Sequence, residues 1–177
     1  GIQNYNIKYD FKHYISDKCK LSYGLNGIYY KFNPGSIKPS SPESGINPDQ
    51  LDKKYAFEPS IYIDAENQLS NKITIAYGLR YSLFYRLGPS EINLYENNNP
   101  VISNSDMQIY EEATPIGTEY YGKNKSIKSY NNLEPRFSVS YQLNDEEAIK
   151  GSYNRMAQYL QLISNTSSPT PLDVWMP

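Results

Sequence analysis

The sequence is poor in the residues that build most catalytic and metal centres, with one cysteine, one histidine and one tryptophan among 177 residues. Cys19 alone cannot form an internal disulfide, and it falls in a short polar turn outside any Cys/His cluster. With His13 the only histidine, no Ser/His/Asp, Cys/His or His-cluster chemistry can be assembled. A carboxylate pair is the route left to catalysis, and no local context singles one out. The expectation is therefore no enzyme and no cofactor. Charge of one sign is also lacking, since 17 Lys and Arg face 19 Asp and Glu for a net charge of -2. No field gathers nucleic acid, which is excluded as a partner. No apolar run reaches the ~18 residues of a spanning helix. That absence says nothing against a spanning β-barrel, whose strands need about 10 residues with only every second one apolar. A mean hydropathy of -0.69 is compatible with such a wall.

What is abundant is tyrosine and turn formers: 19 Tyr, 12 Pro and 10 Gly. They are arranged in segments of period two. In the first, Tyr5, Ile7, Tyr9 and Phe11 alternate with Asn4, Asn6, Lys8, Asp10 and Lys12, so apolar and polar sets take opposite faces. The clearest run is Ile73, Ile75, Tyr77, Leu79, Tyr81, Leu83, Tyr85 and Leu87, in which Phe84 is the one bulky residue out of phase. The pattern predicts strands over roughly 2–15, 20–32, 55–65, 72–87, 132–143 and 148–160, the last blurring near Arg155 into a bulge or strand end. Polar, proline-rich stretches at 33–54, 88–131 and 164–177 read as loops, with a faint strand signal around Met107 to Tyr110.

Connections that alternate short and long place every short turn on one side of a bilayer, which is the plan of an outer-membrane barrel with short periplasmic turns and long extracellular loops. The fold class read from this is all-β, a segment of an antiparallel transmembrane β-barrel with about six long strands. Tyr5, Tyr9, Tyr23, Tyr77, Leu79, Tyr81, Leu83, Phe137, Val139 and Tyr141 are the candidate lipid-facing residues. Tyrosines near segment ends, such as Tyr14, Tyr29, Tyr55 and Tyr85, fit the headgroup level. Glu58, Arg80, Arg86, Glu134 and Arg136 are the candidate lumen-facing residues, as cross-strand ion pairs or as contacts for a plug or solute. Gly24 and Gly78 read as sites of curvature or of close approach by a plug. Asp106, Glu111, Glu112 and Glu119 offer carboxylates for a hard cation, without a loop motif to support one.

The run Asn132-Leu133-Glu134-Pro135-Arg136-Phe137-Ser138-Val139-Ser140-Tyr141-Gln142-Leu143, followed by Ile149-Lys150-Gly151-Ser152-Tyr153-Asn154-Arg155 and Tyr159-Leu160-Gln161-Leu162, resembles the barrel of Bacteroidetes TonB-dependent outer-membrane receptors. So do Glu58-Pro59-Ser60-Ile61-Tyr62, Tyr77-Gly78-Leu79-Arg80-Tyr81-Ser82 and Pro169-Thr170-Pro171-Leu172-Asp173-Val174-Trp175. The resemblance implies a 22-stranded barrel closed by an amino-terminal plug, residence in the bacterial outer membrane and energised uptake of a nutrient. Its implied partners are outer-membrane lipid, the rest of the barrel and plug, the inner-membrane TonB complex reached through the plug, and an unidentified substrate. Both chain ends read as cuts within a longer protein, with the plug outside these residues. Two alternatives stay open: a secreted, soluble all-β module that binds carbohydrate, and a passive porin built on the same wall.

Overall fold

The computed structural model describes residues 1–34, 36–37, 49–50, 52–104, 109–163 and 174–176. In chain order the strands are β1 (Ile2–Ser16), β2 (Cys19–Phe32), β3 (Ser36–Ile37), β4 (Asp49–Gln50), β5 (Lys54–Gln68), β6 (Ile73–Leu87), β7 (Ser90–Leu94), β8 (Val101–Asn104), β9 (Ile109–Glu112), β10 (Gly117–Tyr121), β11 (Ser126–Gln142), β12 (Ala148–Asn154), β13 (Gln161–Ile163) and β14 (Val174–Met176). A short 3-10 turn occupies Glu96–Asn98. Six of these strands form one sheet in the order β1-β2-β5-β6-β11-β12, every neighbouring pair antiparallel. Strands of 14 to 17 residues are long for a soluble domain, where ~5–6 is usual.

The sheet has a short-turn end and a long-connection end. Asp17 and Lys18 join β1 to β2, residues 69–72 join β5 to β6, and residues 143–147 join β11 to β12, all at one end. The last of these turns is held by Asn144, whose side-chain oxygen accepts the backbone N–H groups of Glu146 and Glu147. Cys19 belongs to β2, opposite Ser16 and Asn67, and so sits in the ladder where the sequence placed a turn.

Several boundaries differ from the periodicity. β5 runs to Gln68, three residues past the predicted end, because Glu66, Asn67 and Gln68 pair with Ala76, Ile75 and Thr74. β11 begins at Ser126 instead of 132, since Lys128 to Asn131 pair with Arg86 to Leu83. Ladder bonds belong to the backbone and tolerate a stretch with no apolar alternation. The region 88–131 is an extended arm as well as a loop: β7 pairs with β10, β8 pairs with β9, and the 3-10 turn lies between them. Gly88 donates to Lys125 and accepts from Asn124, so the β7/β10 ribbon prolongs the β6/β11 hairpin. In the 33–54 stretch β3 and β4 pair, and β13 pairs with β14 across the final stretch. Met107 and Asp106 lie outside the described residues.

Burial is confined to one face. Phe32, Ala56 and Phe84 form the buried apolar cluster, with Tyr30, Tyr159 and Leu160 packed on it. Phe84, out of phase in the sequence, is thus the centre of a small core. β12 ends at Asn154, short of the predicted 160, and residues 155–160 leave the ladder to cover that core.

A polar face with a built floor

Alternation and register together give the sheet two chemically distinct faces. Tyr9, Leu25, Ile61, Tyr81 and Leu133 fall in one row across five strands, and Tyr77 and Phe137 pair further down. Their side chains are exposed, with Tyr9 at 57% and Ile61 at 60%, as is Tyr5 of the same face at 63%. Tyr23, Leu79 and Tyr141 are exposed on the same face, whereas Leu83 and Val139 are half-buried. No second sheet covers these side chains among the described residues. An apolar surface this broad is tolerated only against lipid or another apolar partner.

The opposite face carries rows of polar residues. One row is Asp10, Gly24, Tyr62, Arg80 and Glu134, and the next toward the long connections is Lys8, Asn26, Ser60, Ser82 and Asn132. The Tyr62 hydroxyl donates to Asp10 Oδ1 at 2.6 Å, reaching across β2 above Gly24. Lys8 holds the other oxygen of Asp10 at 2.7 Å. Arg136 reaches Asp64 at 3.8 Å across β6, above Gly78. A Cβ at Gly24 would strike the Tyr9 carbonyl and the Tyr62 ring, and one at Gly78 would strike the Asp64 carboxylate. Both glycines are therefore clearances for bridges that span a strand, a role distinct from the curvature or plug approach expected from the sequence.

Nearer the long connections the face is built up into a floor. Residues 155–160 cross it, beginning where Arg155 N–H donates to the Pro135 carbonyl at 3.1 Å. Tyr159 stacks on Phe84 with ring centroids 5.2 Å apart. Glu134 is 5% exposed and accepts from Ser82 Oγ at 2.5 Å. The Tyr159 hydroxyl lies 2.8 Å from Ser82 Oγ and donates to the Ser82 backbone carbonyl at 3.2 Å. Asn132 donates in turn to Tyr159 at 3.1 Å. Asn132, Tyr159, Ser82 and Glu134 are thus joined in one polar cluster that ends at a buried glutamate.

The candidate lumen-facing residues take different roles. Glu58, Arg80, Arg86, Glu134 and Arg136 lie on this polar face by register. Glu58 accepts from Tyr30 at 3.1 Å, and Arg136 forms the ion pair with Asp64. Glu134 is hydrogen-bonded to serine; although Arg80 is its direct cross-strand partner, no ion pair within 4.0 Å joins them among the described residues. The Nε atoms of Arg80 and Arg136 are buried without a hydrogen-bond partner. Tyr159, Ser82 and Phe84 were not singled out by sequence as site residues, and the one available signal was Phe84 breaking phase. On the arm, Glu119 accepts from the Tyr121 hydroxyl at 2.8 Å, which raises that phenol above its ordinary range. No group of three or more His, Cys, Asp or Glu stands ready for a metal among the described residues.

No curated protein and no solved structure matches the chain. The family model described as an outer membrane beta barrel domain matches residues 37–173, well over half of the sequence. Long antiparallel strands, an exposed apolar face and short turns at one end agree with that match, so the chain belongs to the outer membrane beta barrel domain family and resides in the bacterial outer membrane in contact with its lipid.

Proposed function

We propose that this domain is part of the barrel wall of a TonB-dependent receptor that takes up a nutrient, and that it carries no catalysis of its own. In this reading the polar face lines the lumen, further strands complete the barrel beside β1 and β12, and a plug occupies the interior. Strands of 15 residues are about 50 Å long at ~3.3 Å per residue; tilted by about 40° they exceed an apolar band of ~25 Å. Their loop ends therefore stand clear of the hydrocarbon.

The observation that carries the reading is the floor made by residues 155–160 on the polar face. An inward-folded segment held by hydrogen bonds gives the interior a fixed surface against which a solute and a plug can be seated, which a receptor needs. The resemblance of residues 132–162 to TonB-dependent receptors supports the same choice over a porin.

The test uses the full-length protein. Purified receptor is expected to bind the periplasmic domain of TonB and to show no steady conductance in planar bilayers. Stable open channels together with no TonB binding would establish the passive-porin alternative instead.

A further inference from the structure

Beyond the floor, at the loop end of the polar face, three cations gather. Arg86 is paired in register with Ala56 on one side and Lys128 on the other, and Lys54 lies one step further along β5. These three residues share the polar face with the floor. Lys54 and Arg86 stand on neighbouring strands, one step apart on this face. None of the three has an ion-pair partner within 4.0 Å among the described residues. Glu58, one step below Ala56 on this face, is engaged by Tyr30.

Lys54 and Arg86 are half-buried, so their charges are less screened than those of free surface lysines. Beside them Phe32, Ala56 and Phe84 form the buried cluster, and the half-buried Tyr159 and Leu160 that cover it present the apolar surface. An unneutralised cationic rim costs self-repulsion, and an anion relieves it with charge-assisted hydrogen bonds. The apolar floor adds a surface for a hydrocarbon or aromatic body.

We infer that Lys54, Arg86 and Lys128, set above the Tyr159 and Leu160 floor, form a binding site for an organic anion with an apolar body. The inference rests on the reading of the polar face as lumenal, and it names the chemical class that the extracellular mouth of the barrel collects.

The test is calorimetric titration of the full-length protein in phosphatidylcholine nanodiscs with 2-naphthoate and, separately, with the neutral 2-naphthalenemethanol. Naphthoate is expected to bind saturably at one site beyond its uptake by empty nanodiscs, and the alcohol more weakly. The double variant Arg86→Gln, Lys128→Gln is expected to weaken naphthoate about tenfold, as loss of charge-assisted bonds does, while leaving the alcohol unchanged. Heat-modifiable gel migration confirms that the variant barrel is folded. Naphthoate uptake no greater than that of empty nanodiscs, or equal binding by the double variant, overturns the inference. Labelling by a membrane-impermeant maleimide in a Cys19→Ser background separates the two levels. If Ser138→Cys on the polar face reacts and Tyr77→Cys does not, the lumenal reading stands and a failed titration counts against the anion site alone. If Tyr77→Cys reacts and Ser138→Cys does not, both fall.

Discussion

At the scale of single residues, the polar face is organised by what spans a strand. Two acids on alternate strands, Asp10 and Asp64, are met by Tyr62 and Arg136 from two strands away, and each bridge needs a residue without a side chain beneath it. The sequence shows the glycines and the acids but not their alignment, because register fixes that Gly24 lies between Asp10 and Tyr62. Gly78→Val is expected to displace Asp64 and break its pair with Arg136, destabilising the barrel by about 1–3 kcal/mol, the usual cost of overpacking. Asp64→Ala in the same background is expected to recover much of the loss by clearing the space. Urea unfolding of the full-length protein in lipid vesicles measures both, and a Gly78→Val midpoint equal to the parent's rejects the clearance role.

At the scale of elements, the strands legible in the sequence are those whose two faces meet different media over their whole length, such as β1 and β6. The elements that were missed have another source of order. Residues 126–131 have no regular apolar alternation and join β11 through backbone pairing with β6. The arm made by β7 and β10, then β8 and β9, likewise extends a hairpin, announced only by the faint strand signal around Met107 to Tyr110 that reaches β9 at Ile109 and Tyr110. The end of β12 was blurred because Tyr159 and Leu160 answer to Phe84 on the polar face instead of to lipid. Tyr159→Phe keeps the stacked ring but removes the hydroxyl that links Asn132 to Ser82, and is expected to cost about 1–2 kcal/mol. Tyr159→Ala loses the stack as well and is expected to cost more. Unfolding midpoints in the order parent, phenylalanine, alanine fit the floor, whereas three equal midpoints would show that residues 155–160 are not seated there.

For the whole molecule, one sheet has to satisfy two solvents, and its stability depends on which face a change touches. Ile61, near the middle of β5, stands on the apolar face and is 60% exposed to whatever surrounds the wall. An arginine there must cross hydrocarbon or distort it, at a cost of about 2–4 kcal/mol near the bilayer midplane. Ser22 lies in the polar row between Lys12 and Asp64, where an added arginine meets water and a carboxylate. Ile61→Arg is therefore expected to lower the stability of the full-length protein in vesicles by that amount, and Ser22→Arg to change it by less than about 0.5 kcal/mol, as for a solvated surface position. A soluble module would reverse the environments' meaning: in buffer, Ile61→Arg would be neutral or would improve solubility, because the same face would already be in water. Equal, small effects of the two arginines in vesicles would mean that the tyrosine- and isoleucine-rich face does not touch lipid, which is the premise on which the division of this sheet into an outside and an inside rests.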